Sequence, residues 1–241
     1  MRSAVESFAN IAIGVAALAV VSTLGLRAWR SRGVEPSYVE AQPEYVGDWQ
    51  DILKAGLLLD GAAPRKVTII VFSDLECPFC AQFHLETQPV LERLFGDTVG
   101  TVFVHFPIRS HRFAMQSAQA LECAADRGLH RAFLELVYRR QDSIGLKPWA
   151  EYAASVGVAD TTEFMECVRS PTKRRILDGK ELGERFDLRA TPTILVDGWR
   201  FVGVPDSATI VPAIRAILAG QPPIVGQRPA TKSGDLTPTT R

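Results

Sequence analysis

Val67-Thr-Ile-Ile-Val-Phe-Ser-Asp-Leu-Glu-Cys-Pro-Phe-Cys80 is the stretch whose reading decides the fold. Residues 67–72 are apolar except Thr68 and β-branched except Phe72. Such a short run predicts a central strand buried on both faces. Ser73-Asp74-Leu75-Glu76 breaks it, and a helix is expected to open near Cys77-Pro78. Two cysteines separated by two residues can close a small disulfide with little backbone movement. On the first turn of a helix, unpaired N–H groups point toward the first sulfur, and the positive helix end favours its thiolate. Cys77 is then a nucleophile near neutral pH. Pro78 loses no needed hydrogen bond at an early helical position. Cys80, one turn in, is placed to resolve a mixed disulfide.

Working outward, residues 98–106 read as a second strand ended by Pro107, which has no N–H to donate. From 111 to 187 the apolar spacing is helical, with breaks suggested at Gly128, Gly145 and Gly157. Strand character returns at Pro192–Asp197. Asp197-Gly198 is a turn pair before a partner strand at Trp199–Val202. A last amphipathic helix spans 207–219, and residues 220–241 hold four prolines and need not fold. The order predicts an α/β domain in two parts, 65–110 and 188–219, with an all-helical block inserted at 111–187. Residues 33–64 read as a spacer and lead-in, with a short helix or strand within Trp49–Leu59.

Acidic and basic residues balance at 27 each among 241. No basic surface is implied, so nucleic acid is not an expected partner. No glycine-rich phosphate loop or dinucleotide fingerprint is present, and no cofactor is expected. Half a zinc site can look like Cys77–Cys80, with His84 and Cys123 as the remaining ligands. A purely structural disulfide is the other alternative. No second Cys-x-x-Cys or His-x-x-x-His accompanies the pair, and its strand–loop–helix setting favours redox chemistry without a metal.

Residues 8–26 run for nineteen positions without a charge. A helix of that length is about 28 Å long, near the thickness of a hydrocarbon core. A single N-terminal transmembrane anchor, with its flank in residues 1–32, is the reading favoured here. The alternative is a signal peptide cleaved near Ala17-Leu18-Ala19. Arg27, Arg30 and Arg32 follow the segment. The positive-inside rule would put them, and the domain, on the cytoplasmic face.

Phe72–Cys80, Phe106-Pro107, Ala120-Leu-Glu-Cys-Ala124 and Ala190-Thr-Pro-Thr-Ile-Leu-Val-Asp-Gly198 together resemble the DsbA-like branch of the thioredoxin superfamily. The resemblance covers about residues 50–219. It implies a thioredoxin fold with a helical insertion. It also implies that Pro192 is a cis-proline facing the cysteine pair, and that Thr191-Pro192 lines the substrate groove; a plain strand start at Pro192 is the alternative. In related proteins such a pair can form a second, structural disulfide, which here would be Cys123–Cys167; two buried free cysteines acting as small hydrophobes are the alternative. That bond would argue for an oxidising compartment, the periplasm or the cell exterior, against the arginine flank. Members of the family keep a buried carboxylate six residues before the first cysteine. Here that position is Val71, and Asp74 and Glu76 are expected to be solvated loop carboxylates.

The implied activity is thiol–disulfide exchange with protein thiol or disulfide substrates, more as an oxidase than as a reductase or isomerase. A separate redox partner must reset Cys77–Cys80. Phe79 and Pro78, together with Glu76, are expected to tune the loop. A peroxide-reducing enzyme would need a Thr/Arg arrangement around Cys77 that the local sequence lacks. A non-catalytic subunit scaffolding a membrane assembly would have no need for the pair. His105 reads as structural, and Arg109, His111 and Arg112 as a solvated edge.

Overall fold

In the computed structural model, residues 43–59 and 65–223 are described. The expected anchor at 8–26, its flank and most of the proline-rich tail lie outside them. No helix among the described residues is long and apolar enough to cross a membrane.

Six strands form one mixed sheet: β1 (Glu44–Tyr45), β2 (Gly56–Leu58), β3 (Val67–Ser73), β4 (Val99–His105), β5 (Thr193–Val196) and β6 (Trp199–Val202). Their order is β1-β6-β5-β3-β4-β2. The run 67–72 is central, parallel to β4 and antiparallel to β5. Its side chains alternate between two cores. Val67, Ile69 and Val71 pack with Leu91, Ile210 and Ile214 on one face. Ile70 and Phe72 pack with Ile52, Val104 and Leu195 on the other. Burial on both faces explains why the strand reads as continuously apolar.

Part of the stretch expected as spacer is built into the sheet. Glu44–Tyr45 pairs with Arg200 and Trp199 on β6, and Gly56–Leu58 pairs with β4. Between them Trp49–Ala55 forms a 3-10 helix that buries Trp49 and Ile52. Two-residue and three-residue edge strands carry too little periodic signal to read without their partners.

The helix after the cysteines has three pieces: α1 (Pro78–Gln82), a π-helical turn over Phe83–Thr87, and α2 (Gln88–Phe95). Pro89 accounts for the wide turn. It has no N–H for the Leu85 carbonyl and its ring would clash there. The ladder shifts instead to a bond from Gln88 N–H to the Phe83 carbonyl.

The insertion holds five helices: α3 (Ala114–Ala125), α4 (His130–Arg139), α5 (Trp149–Ser155), α6 (Thr161–Arg169) and α7 (Arg174–Arg185). Phe133, Trp149, Tyr152 and Phe164 meet at its centre with ring centroids 5.1–6.5 Å apart. Leu75, Cys77 and Cys80 belong to the same core, so the active loop rests on the insertion as well as on the sheet. In α7, a Cβ at Gly179 would come within 2.3 Å of the His105 carbonyl oxygen. Glycine there lets the helix lie directly against the end of β4. Asp197 and Gly198 both have positive φ, 44° and 88°, as a two-residue hairpin with this turn requires. The last helix, α8 (Ser207–Leu218), is capped by Asp206, whose carboxylate accepts from Thr209 N at 2.8 Å.

Cys123 and Cys167 are disulfide-bonded. The bond joins α3 to α6 across 44 residues, so it ties two helices inside the insertion and not its two ends. Replacing both cysteines with alanine should lower stability by about 2–4 kcal/mol, since the unfolded chain regains the freedom of that loop. Urea denaturation checks this; a loss below 0.5 kcal/mol (an order-of-magnitude threshold of about RT) would mean the closure contributes little.

Candidate active site

Cys77 is the N-cap residue of α1 and Pro78 its first helical residue. Both sulfurs are sheltered: Cys77 is 4% exposed and Cys80 1%. In this dithiol state the Cys77 thiol donates to the Thr191 carbonyl at 3.3 Å. The Thr191–Pro192 bond is cis, so the residue before Pro192 lies against the first cysteine. Phe79, between the two cysteines, is 55% exposed and forms the outward face of the loop.

The two thiols differ sharply in acidity. A hydrogen bond from the Cys80 thiol is the largest influence on Cys77, and burial opposes it. The Thr191 hydroxyl and the backbone N–H groups of Cys80 and Phe79 add to the lowering. Together they bring Cys77 from 9.0 to about 6. Cys80 moves the other way. Burial, then the hydrogen bond to Cys77 and its charge, push its thiol well above the usual value. The pair is therefore split into a nucleophile and a neutral partner at pH 7.

Thr191 has a buried hydroxyl without a hydrogen-bond partner. With a thiol at Cys77, the proton goes to the Thr191 carbonyl; a thiolate leaves the hydroxyl as a donor within reach. Thr191→Val keeps the shape and removes that donor. The Cys77 titration should move upward from about 6, toward its ordinary value, when followed by thiolate absorbance. No movement would mean that the hydroxyl does not serve the sulfur.

The lowered Cys77 titration also sets a pH dependence for the reduced protein. The thiolate is favoured in the folded state, so the folded state binds fewer protons than the unfolded one between the two values. The stabilisation is fully present above about 9, and it is lost as pH falls through about 6. Denaturation of the reduced chain at pH 5.5 and pH 8, compared with the oxidised chain, isolates this contribution.

Asp74 corrects the expectation of solvated loop carboxylates. It is 1% exposed. Its carboxylate accepts from Glu76 N at 2.8 Å, Ile108 N at 2.7 Å and His111 Nδ1 at 2.9 Å. His111 thus belongs to the site and not to a solvated edge, whereas Arg109 and Arg112 are exposed. Glu76 accepts from Phe113 N at 2.6 Å, so its carboxylate fastens the entrance of α3. These bonds lock the active loop to the segment after β4. Val71 lies in the sheet core, and no carboxylate stands on β3.

Sequence reading passed over two further contributors. Gln141, 64 residues from Cys77, donates through Nε2 to the Leu75 and Cys77 carbonyls at 2.7 and 2.9 Å. Nothing local in the insertion marks it. Ser73 and Tyr138 share a buried hydrogen bond of 2.7 Å beside Cys80. The Asp74 turn was the readable signal: an aspartate accepting from the N–H two residues on is a common turn device. His105, fully buried, bonds Glu122 through Nε2 at 2.9 Å, and Glu122 bonds Arg175 at 2.9 Å. Burial pushes the Glu122 carboxyl up, but His105 and Arg175 outweigh it and hold it low. This group joins β4, α3 and α7 and acts structurally.

The structure is similar to BdbD from Bacillus subtilis, at TM-score 0.63 and 22% identity over 76% of this chain and 98% of that one. It is also similar to α-DsbA1 from Wolbachia pipientis, at TM-score 0.59 and 18% identity, covering 68% of this chain and 92% of that one. A sequence relative, the Na(+)/H(+) antiporter NhaA 1 of Mycolicibacterium gilvum, is 32% identical over 160 residues, which is 65% of this chain and 26% of the antiporter. The chain therefore spans about a quarter of the length of the curated relatives it matches. The sequence family described as Thioredoxin matches residues 58–216. With a mixed sheet, a Cys-Pro-Phe-Cys pair at a helix start and a cis-proline facing it, the chain belongs to the thioredoxin family.

Proposed function

We propose that the chain is a thiol–disulfide oxidoreductase that works as an oxidase on protein thiols outside the cytoplasm. The observation that carries the reading is the split acidity of the pair. A Cys77 thiolate stabilised down to about 6 stabilises the reduced form at neutral pH, and a stable reduced form makes the disulfide a strong oxidant.

In the forward direction, a substrate thiolate attacks Sγ of Cys77 in the Cys77–Cys80 disulfide. The S–S bond breaks and its electron pair passes to Sγ of Cys80, which takes a proton. A second substrate thiolate attacks the substrate sulfur of the mixed disulfide and displaces Cys77 as a thiolate. The substrate dithiol is oxidised by two electrons; one of its protons ends on Cys80 and the other in solvent. The exposed ring of Phe79 and the backbone at Thr191-Pro192 form the contact surface for the polypeptide. A separate redox partner restores the disulfide.

The Cys123–Cys167 bond supports an oxidising compartment. Membrane attachment through residues 8–26 remains part of the proposal on sequence grounds.

The test is the reduction potential of Cys77–Cys80 in the full-length chain, poised with glutathione buffers. A value near about −120 mV supports the oxidase; one near about −270 mV would assign a reductase instead. The antiporter relatives favour a second reading, a thioredoxin-type domain that serves beside a membrane transport protein. Inertness of the purified chain toward any thiol or disulfide would support that reading and sink the first.

A further inference from the structure

Cys80 must leave as a thiolate when Cys77 is attacked, and it must do so inside a core that excludes water. A buried sulfur carrying new charge is costly unless donors are already in place. Three groups converge there. Asp74 N–H points at Cys80 Sγ at 3.5 Å. The Ser73 hydroxyl opposes the rise in the acidity constant of the same sulfur, which favours its thiolate. Behind Ser73, Tyr138 OH lies 2.7 Å from Ser73 Oγ, and both residues are buried, at 2% and 4% exposure.

The two hydroxyls come from distant parts of the chain, the end of β3 and the last turn of α4. Tyr138 is held by its ring against His84, with centroids 5.1 Å apart. Among the described residues its hydroxyl pairs with Ser73 Oγ. Burial, followed by the charge of Cys80, drives the Tyr138 phenol well above its usual range, so it keeps its proton and can donate it to Ser73. A donating Tyr138 leaves the Ser73 proton free for the sulfur. Chained hydrogen bonds in a low-dielectric interior strengthen one another.

We propose that Ser73, backed by Tyr138, together with the Asp74 N–H forms a preorganised leaving-group site for the Cys80 thiolate. In this arrangement Ser73 is the donor to the Cys80 thiolate, and Tyr138 is a positioning residue that acts through it. The inference rests on the exchange reaction proposed above. The bond that breaks is Cys77 Sγ–Cys80 Sγ, and the bond that forms joins the attacking sulfur to Cys77. The electron pair arrives on Cys80 facing these donors, and the proton follows from solvent.

This arrangement makes a distinctive kinetic claim. A leaving thiol departs faster when its thiolate is better stabilised. At equilibrium near pH 7, however, Cys80 is a neutral thiol, so the donors matter to the transition state and little to the end states. Removing them should slow exchange without moving the potential.

The experiment uses the oxidised full-length chain with dithiothreitol as the attacking thiol, followed by acid quench and mass analysis. Tyr138→Phe keeps the ring and should slow reduction about fivefold, as loss of one buried neutral hydrogen bond does. Ser73→Ala should slow it at least as much, while Ser73→Thr, which retains the hydroxyl, should restore most of the rate. The reduction potential and the Cys77 titration should stay in place in all three. Rates within twofold of the parent for Tyr138→Phe and Ser73→Ala would overturn the proposal. So would a slowed rate accompanied by shifts in the potential and the Cys77 titration, because that pattern belongs to a general structural role. If the parent itself fails to react with dithiothreitol, the exchange reading fails first.

Discussion

Cys77→Ser should reduce thiol–disulfide exchange by about a thousandfold or more, whereas Cys80→Ala, which removes the strongest hydrogen bond to the Cys77 thiolate, should slow attack at neutral pH but still trap a covalent adduct. The asymmetry follows from the split in acidity. Cys77 titrates at about 6 and is a thiolate at neutral pH; a serine hydroxyl is not ionised there and cannot accept a disulfide bond. Cys80 is buried and held neutral, so it does not compete as the first nucleophile. Without it, a Cys77 thiolate attacking a substrate disulfide forms a mixed disulfide that nothing internal resolves. Non-reducing gel electrophoresis and mass analysis of the Cys80→Ala chain with a model disulfide would reveal the adduct. An adduct that forms equally with Cys77→Ser would reverse the assignment of the two cysteines.

The second large effect is on stability. Asp74→Ala should cost roughly 3 kcal/mol, because it strands the buried N–H groups of Glu76 and Ile108 and the ring nitrogen of His111. Asp74→Asn retains one acceptor oxygen and should cost less. The loss should appear as a lower urea midpoint with an unchanged slope. Exchange should weaken in parallel, since the same bonds hold the loop from which Cys77 starts α1. A loss below about 1 kcal/mol would show that water replaces the carboxylate readily, and that the loop is not locked from this side.

Asp74 also shows where the sequence stops being readable. A lone aspartate in a four-residue break between strand and helix ordinarily faces water. Its burial depends on Pro107 to Phe113 crossing the loop, more than thirty residues downstream. Gln141 and Tyr138 depend similarly on how the insertion folds back. Glu44–Tyr45 reads as spacer, and Gly56–Leu58 only as part of a short helix or strand within Trp49–Leu59, because so short a strand is defined by its partner and not by its own pattern.

What the chain carries locally could be read without coordinates. The run at 67–72 and the Asp197-Gly198 turn have pattern enough to set a central strand and a hairpin, because period and turn chemistry act over a few residues. The cysteine spacing beside Pro78 likewise announced thiol chemistry, since a helix start supplies its own donors. Thr191 beside Cys77 and the Cys123–Cys167 bond were expected only through the family resemblance, and the tertiary structure alone set Ser73 and Tyr138 behind Cys80. Those contacts join residues 44 to 114 positions apart, and at that distance no local pattern encodes the partner; the packing of the insertion onto the sheet does.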